Sequence, residues 1–206
     1  MKKADIVAKT LVILNEAGGD TELSLLSEDT LRVSDYIEKS IPEAVRLVQS
    51  LSPDRCVNPK NGGTSCTMMS DKDNGRATIS VPADFVSLIG IQLSSWKPVC
   101  VTTDTMVSEA YLRQCNAYTR SGVNNPVCII GRNDSGVKTL FLYPCLDGDK
   151  LSMFVYEGLY NENDDLPDDI SLAVCYMTAS VVYTIFENKA SAEAMKQMAV
   201  ACIPKN

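Results

Sequence analysis

The sequence predicts an α+β protein, in which N- and C-terminal helices pack as a small helical bundle and an antiparallel β-sheet or sandwich subdomain is inserted between them. Apolar residues recur at helical spacing in residues 1–52 and again in residues 161–206. Residues 53–160 instead hold short β-branched and aromatic runs separated by Gly, Asn and Asp. Neither helical segment can bury its apolar face alone, so we expect the two to pack together.

Composition narrows the classes of function. Of the 206 residues, 45% are hydrophobic, which supplies a core for one domain with an inserted subdomain. The net charge of −7 argues against a general nucleic-acid coat, which needs clustered Lys and Arg. The absence of His removes the commonest general base and zinc ligand. The longest apolar run, 172–186, is shorter than the ~20 residues of a membrane span, so we expect no membrane association.

The N-terminal part predicts two helices. Residues 4–17 are amphipathic and are followed by two glycines, which is typical of a helix C-terminus. Charged residues interrupt this stretch, which favours a helix over a signal peptide. Residues 27–51 predict a second helix, which we expect to kink or divide at Pro42. Its apolar stripe consists of Ile37, Ile41, Val45 and Val48.

The middle part predicts a meander of antiparallel strands. It opens with the polar stretch 52–76, a long loop or loose hairpin outside the core. A short helix is expected over 105–116. Gly136 and Gly148 lie in the two expected hairpin turns, where they can adopt positive φ. The predicted strands are 77–81, 85–93, 97–103, 126–131, 137–143 and 150–156.

The C-terminal part begins with an acidic connector, residues 161–169, whose charges suit the N-terminus of the helix that follows. Pro167 is placed to start that helix. Residues 170–188 are apolar nearly all round, so they predict the central buried helix. Ser191 is expected to cap a last helix that ends near Cys202.

The eight cysteines are expected to be mostly free, buried thiols, because they are scattered and form no CxxC pair. Cys56 and Cys66, which flank a polar loop, are the best candidates for a disulfide. A cysteine nucleophile is disfavoured because no His exists to activate it. The other six are Cys100, Cys115, Cys128, Cys145, Cys175 and Cys202.

Two acidic stretches suggest calcium, but each has a simpler explanation. Residues 71–75 resemble the first half of an EF-hand loop but lack its distal Glu. The acidic cluster of the connector matches no known calcium loop and is interrupted by Pro167, so a solvated helix N-terminus is favoured. We therefore predict no metal and no cofactor. The cluster consists of Asp164, Asp165, Asp168 and Asp169.

Four aromatic residues invite comparison with a stacking platform for single-stranded nucleic acid. No Lys/Arg groove alternates with them in the sequence, so core or interface positions are favoured. Serines are plentiful but lack a base, and we predict that the chain is not an enzyme, although paired carboxylates remain open. The four are Trp96, Tyr111, Tyr118 and Tyr143.

The order of segments over roughly residues 4–200 carries a resemblance. An amphipathic N-terminal helix precedes the strand-like run 80–101. This run has Pro82 near its start and the single Trp, Trp96, near its end. A segment with Gln, Asn and Tyr, a Pro-led strand and a strand ending in Tyr-Pro follow. This order resembles the head–tail connector (adaptor) proteins of short-tailed bacteriophages, particularly the ring proteins of crAss-like phages. The matching positions are Val81, Pro82, Asp84, Phe85, Leu88, Trp96, Pro98, Gln114, Asn116, Tyr118, Pro126, Tyr143 and Pro144.

The resemblance implies a structural virion protein, one subunit of a ring, commonly a dodecamer, between portal and tail at the head–tail interface. Its partners would be copies of itself, the portal protein, and tail or other ring components. Genomic DNA would pass through the lumen without sequence recognition, and assembly would take place in the bacterial host cytoplasm. The resemblance also implies that Pro82, Phe85, Trp96, Pro98, Tyr118, Pro126 and Tyr143 form a family-pattern core.

We expect two segments to make the partner contacts. The first is the C-terminal segment 191–206, with Ser191, Met195, Met198 and Ile203, as a docking tail. The second is the loop 52–76, with Asp71 and Lys72. A second ring or tail-completion protein of the same particle is the nearest alternative. An acidic protein- or carbohydrate-binding module is a further one.

Overall fold

The structure, a computed structural model, describes residues 1–17, 30–52, 57–63, 66–71, 74–116 and 118–203. The fold is α+β, as predicted. In chain order the elements are α1 (Lys3–Ala17), α2 (Thr30–Leu51), β1 (Pro59–Asn61), β2 (Met68–Asp71), β3 (Arg76–Ser80), β4 (Phe85–Leu93), β5 (Asp104–Thr105), α3 (Glu109–Gln114), β6 (Val127–Arg132), β7 (Lys138–Tyr143), β8 (Leu151–Gly158), α4 (Asp168–Ile185) and α5 (Lys189–Cys202).

The chain divides into two compact units. The helical unit comprises Met1–Asn58 and Leu159–Asn206, and the β unit comprises Pro59–Gly158. The sequence placed these boundaries after residues 52 and 160. The helical unit contains 17 acidic and 10 basic residues, whereas the β unit contains nine of each. The whole net charge of −7 therefore belongs to the helical unit.

The core of the helical unit follows the predicted apolar stripes. Ile37, Ile41, Val45 and Val48 of α2 are all fully buried, which confirms the stripe. Helix α4 is the central buried helix, with 11 buried residues among its 18. It packs against α1, α2 and α5. Both ends of the chain therefore contribute to one bundle. Helix α4 is apolar on nearly every side, so it needs helices from both ends of the chain to cover it.

Two details of the helices differ from the prediction. Of the two alternatives at Pro42, a division is wrong, because α2 runs through the proline as one helix, and a kink stays a prediction. Pro42 lies on the exposed side, where water can bond the carbonyl that the proline leaves without a donor. The cap of α5 is Asn188 rather than Ser191: the Asn188 Oδ1 accepts the backbone N–H of Ser191 at 3.2 Å, and Ser191 lies in the first turn.

The β unit is a sandwich of two sheets. One sheet is antiparallel, with the order β1-β8-β4, and the other has the order β2-β3-β7-β6-β5, with β5 parallel to β6. Alternate residues of both sheets meet in one buried core. Ile79 and Leu140 come from the larger sheet, and Ile91 and Phe154 come from the smaller one.

The predicted continuous meander is wrong because the chain changes sheets. Strands β6 and β7 form the expected hairpin, with Gly136 at φ 77°. Gly148 also has positive φ, at 81°, but its turn joins β7 to β8 in the other sheet. The Asp149 carboxylate accepts hydrogen bonds from Ser94 and Ser95 next to β4, which directs the turn towards the smaller sheet.

The expected strand over 97–103 is absent from the described residues. Only Cys100 pairs there, in an isolated bridge to Ile91, with N···O distances of 2.9 Å in both directions. Pro98 lacks an amide donor, so the pairing cannot extend towards Trp96. The segment then leaves the smaller sheet, and Asp104 and Thr105 join the larger one.

The polar stretch 52–76 is expected outside the core, which is wrong for Val57, because this side chain is fully buried in the core of the helical unit. The alternative of a hairpin is confirmed in part. The described residues of the stretch include β1 and β2, and β2 forms a hairpin with β3 in which Gly75 has φ 59°. The predicted helix over 105–116 is shorter, because Ser108 caps α3 by accepting the backbone N–H of Tyr111 at 3.2 Å.

Candidate interaction surfaces

The structure places the family-pattern residues in three kinds of environment. Phe85, Trp96 and Tyr143 are 7%, 3% and 5% exposed, so they are core residues. Pro82 and Pro126 are half-buried. The expectation of a core position is wrong for Pro98, which is exposed, and for Tyr118, which is 99% exposed. Both lie in connecting segments, Pro98 between β4 and β5 and Tyr118 between α3 and β6, and neither side chain belongs to the sandwich core.

Asp84, from the Pro-x-Asp-Phe motif, holds the smaller sheet together. Lys60 on β1 donates to Asp84 Oδ2 at 2.9 Å, and the Tyr156 hydroxyl on β8 donates to Asp84 Oδ1 at 3.0 Å. The Tyr156 ring stacks on Phe85, with centroids 5.7 Å apart. The motif therefore connects the entry of β4 to both other strands of its sheet, the adjacent β8 and, beyond it, β1, which is a structural role.

The pKa values of this cluster follow from the same contacts. Burial alone would raise the pKa of Asp84, but the hydrogen bonds from Lys60 and Tyr156 and the Lys60 charge outweigh it, so the pKa lies below its ordinary value. Burial, then the bond to the Asp84 carboxylate and its charge, raises the pKa of Tyr156 to about 12. The phenol therefore remains a hydrogen-bond donor at neutral pH.

Tyr118 lies in a loop whose described residues, 114–116 and 118–121, are arranged around Gln114. The Gln114 side chain is 3% exposed and donates to Ala110 O and Ser121 Oγ, both at 2.9 Å. Its Oε1 accepts the Ser121 backbone N–H at 3.0 Å, and its backbone carbonyl accepts the Arg120 Nε at 2.9 Å. We call these described residues the Tyr118 loop; the hydrogen bonds of Gln114 join its first residue to Arg120 and Ser121.

A second feature lies on the helical unit. A groove of about 470 Å³ runs between α2, α4 and α5. Its apolar wall includes residues that are substantially open to solvent: Leu51 is 44% exposed and Ile185 is 48% exposed. The other apolar residues of the wall are Leu47, Met177 and Val181. We call it the helical groove, and it is apolar surface that the described residues of its unit leave open.

The predicted docking tail is a packed helix as far as Cys202. Met195 and Ile203 pack against the cores of the helical unit, and Ala199 between them is fully buried. Only Met198 among the predicted apolar contacts is largely open, at 46% exposure. Residues 204–206 lie outside the described ranges, so the docking role of the segment stays a prediction.

Of the two predicted contact residues in the loop 52–76, the structure describes Asp71 but not Lys72. Asp71 lies on β2, accepts from Asn74 and Arg76, and has a lowered pKa because of these hydrogen bonds, those from Asn74 first. Lys72 lies outside the described residues.

Near Asp71, a groove of about 330 Å³ crosses the outer face of the larger sheet. Arg76, which lies 5.3 Å from the Phe141 ring centroid, and Tyr111 line it.

The acidic connector and the cysteines have ordinary structural roles. Asp164 accepts from the Asn58 side chain and the Asn161 backbone, both at 2.8 Å. Within the described ranges, no three acidic or thiol side chains come together to hold a metal ion. The seven cysteines of these ranges are free thiols, and four of them are buried: Cys100, Cys128, Cys145 and Cys175. Cys66, a disulfide candidate in the sequence, is a free thiol. Cys56 lies outside the described residues.

Comparison with known proteins assigns no family to the chain. No protein-family model matches it, and a search of curated proteins also finds no match. No helix in the described part of the chain is both long enough and apolar enough to cross a membrane.

Sequence reasoning missed the Tyr118 loop and the helical groove. One signal for the loop is visible in the sequence: residues 110–133 contain Arg113, Arg120 and Arg132 but no Asp or Glu, in a chain of net charge −7. The groove has no such signal, because three helices distant in sequence form it.

Proposed function

We propose that the chain is a structural subunit of a head–tail connector ring, which joins the portal to the tail of a bacteriophage and surrounds the DNA channel. The observation that carries the proposal is the helical groove, an apolar surface on a bundle made from both chain ends. The order of motifs, which resembles that of the ring proteins, supports it. The role is assembly and not catalysis.

Assembly would bury surface that a single copy leaves open. Exposed apolar residues are a feature of subunits that bind neighbours through heterologous contacts, and such contacts close into a ring when the rotation permits. Copies of the chain, the portal protein, and tail or other ring components are the partners in this proposal. The particle would be assembled in the bacterial cytoplasm and the protein would remain at the head–tail interface of the virion.

The charge distribution is compatible with a DNA channel. The helical unit carries the whole net charge of −7, and a negative wall repels phosphate, so DNA would slide without adhering. A second ring or tail-completion role in the same particle would use the same surfaces.

One observation favours a different class of function. The groove on the larger sheet combines Arg76, Tyr111 and Phe141 with the hydroxyls of Thr78, Ser80 and Thr139. Arginine, aromatic faces and hydroxyls together suit a carbohydrate or a polar peptide. The second candidate is therefore a small binding module that acts as a monomer.

Light scattering after size exclusion separates the two candidates. The chain is measured alone, with the portal protein of the same genome, and with an unrelated portal as the control. The connector proposal expects a ring of about twelve copies, either alone or only with the matching portal. A strict monomer that ignores the matching portal would refute it and leave the binding module.

A further inference from the structure

The sequence contains two Asn-Gly pairs, Asn61-Gly62 and Asn74-Gly75, and in such a pair the asparagine side chain can lose ammonia. The backbone nitrogen of the glycine attacks the side-chain carbonyl carbon, and it can approach because glycine has no Cβ in the way. The sequence does not distinguish the two pairs, but their surroundings in the β unit differ.

The first pair is held in the smaller sheet. Asn61 ends β1 and pairs with Val155 of β8. The Gly62 backbone N–H donates to Phe154 O at 2.9 Å, so the nitrogen that must attack is already bonded. Gly62 is buried, and a Cβ there would lie 2.6 Å from Cε1 of the Phe154 ring. Reaction at Asn61 therefore requires the end of β1 to open first.

The second pair lies in the turn that precedes β3. Asn74 is exposed, and Gly75 is half-buried with φ 59°. The bond that fixes Gly75 uses its carbonyl, which accepts the Cys145 backbone N–H at 2.9 Å, and no described residue accepts a hydrogen bond from its nitrogen. Among the described residues, the atom nearest to a Cβ placed on Gly75 is Arg120 Nη1, at an ordinary 3.5 Å. The nitrogen is therefore open to react.

The bonds that orient Asn74 come from one exposed neighbour. Its Nδ2 donates to Asp71 Oδ2 at 2.8 Å, and its backbone N–H donates to Asp71 Oδ1 at 3.3 Å. Water can replace these bonds when the side chain rotates towards Gly75. Neither strand pairing nor a packed ring has to be disrupted, in contrast to Asn61.

We propose that Asn74, and not Asn61, deamidates spontaneously in the folded protein. The Gly75 nitrogen forms a bond to Asn74 Cγ, the Cγ–Nδ2 bond breaks, and the amide proton leaves with the side-chain nitrogen as ammonia. The product is a cyclic succinimide. Water is the second reactant, and it adds to one of the two succinimide carbonyls and opens the ring. Breaking the bond from Cγ to the Gly75 nitrogen gives aspartate, and breaking the bond from the backbone carbonyl carbon gives isoaspartate; no electrons are exchanged with another molecule.

The product changes the edge of the larger sheet. A carboxylate replaces the amide that donates to Asp71, so two negative groups face each other where a hydrogen bond was. Asp71 Oδ2 also accepts from Arg76 Nε at 3.0 Å, so both carboxylates compete for one guanidinium. Arg76 lines the groove on the larger sheet, and deamidation therefore changes the charge of that groove. This inference does not depend on the proposed ring.

The first test locates the reaction. Full-length protein is incubated in water enriched in heavy oxygen, at mildly alkaline pH, because the attacking nitrogen must lose its proton. Mass spectrometry of peptides then shows heavy oxygen only where deamidation took place during the incubation. In the folded protein, Asn74 is expected to convert at least about tenfold faster than Asn61.

The same incubation in urea is the matched control. Unfolding removes the protection of Asn61, so the two asparagines should convert at similar rates. Equal rates in the folded protein, or a faster reaction at Asn61, would overturn the proposal. A gap that persists in urea would also overturn it, because the local sequence and not the fold would then set the rates.

The second test measures the consequence with Asn74→Asp, which is the aspartate product. Unfolding by urea is followed through the fluorescence of Trp96, which is buried in the sandwich core. The unfolding equilibrium constant is expected to rise about threefold. Adding Asp71→Asn should restore part of the loss, since one amide and one carboxylate then face each other again.

Asn61→Asp is the control for this test. The Asn61 Oδ1 accepts the Gly63 backbone N–H at 2.9 Å, and a carboxylate can accept the same bond, so the constant should stay unchanged. An unchanged constant for Asn74→Asp, or no recovery with Asp71→Asn, would overturn the predicted effect on Asp71. The location of the reaction is decided separately, by the first test.

Discussion

Replacing Tyr156 by Phe removes a single hydroxyl from the cluster around Asp84. The ring remains, so the stacking on Phe85 and the packing against Phe154 are retained. What is lost is the O–H donor 3.0 Å from the Asp84 carboxylate. The substitution therefore isolates one charge-assisted hydrogen bond between β8 and the start of β4.

The expected cost follows from the environment of that bond. A hydrogen bond to a charged group contributes about 1.5–3 kcal/mol of net stability. Asp84 keeps Lys60 as a partner, and its side chain is 35% exposed, so water can replace part of what is lost. We expect the free energy of unfolding of the β unit to fall by about 1–2 kcal/mol.

The assay uses the only tryptophan of the chain. Trp96 is 3% exposed in the sandwich core, and its indole N–H donates to Pro144 O at 2.7 Å, so its fluorescence follows unfolding of the β unit. With a denaturant dependence of about 2 kcal/mol per molar urea, in the middle of the usual range, the midpoint should fall by roughly 0.5–1 M.

A matched control separates this bond from a general effect of losing a tyrosine hydroxyl. Tyr118→Phe removes the same hydroxyl from a ring that is 99% exposed, and the midpoint should stay unchanged. An unchanged midpoint for Tyr156→Phe, or equal losses for both variants, would show that Asp84 does not hold the smaller sheet as described.

Three further outcomes are expected. Because the pKa of Tyr156 rises from 10.0 unfolded to about 12 folded, its stabilisation is complete below pH 10 and is lost up to pH 12; urea midpoints of wild type and Tyr156→Phe should converge there, and a constant gap would contradict this. Gly62→Ala should cost about 1–3 kcal/mol, since a Cβ would lie 2.6 Å from Cε1 of the rigid, buried Phe154 ring, whereas Gly122→Ala, in open space, should cost little; calorimetry showing equal shifts would disprove the packing argument. Iodoacetamide should label exposed Cys115 before buried Cys128, whose thiol pKa is raised well above the ordinary value by burial; similar rates by mass spectrometry would count against this burial.

Local periodicity explains what could be predicted. The stripe of α2 and the strand Phe85–Leu93 follow from the spacing of apolar residues within one short segment. Gly136 and Gly148 have positive φ because their turns need it. These features depend on neighbours in sequence.

Strand pairing could not be predicted in the same way. The sequence around Gly148 is typical of a hairpin, yet β7 and β8 belong to different sheets because Asp149 bonds Ser94 and Ser95, which are distant in sequence. Which strands pair depends on contacts between residues that are distant in sequence, so the sequence of a single segment does not determine its partner.

The candidate surfaces show the same division. The sequence by itself determined an α+β chain with helices at both ends, a β insertion, and an arginine-bearing stretch without acids, because composition and spacing are local properties. Only the tertiary structure decided that Tyr118 lies outside the core while Trp96 lies within it, and that α2, α4 and α5 leave a groove open. Exposure depends on which distant elements cover a side chain, so the surfaces on which function depends emerge only when the chain is folded.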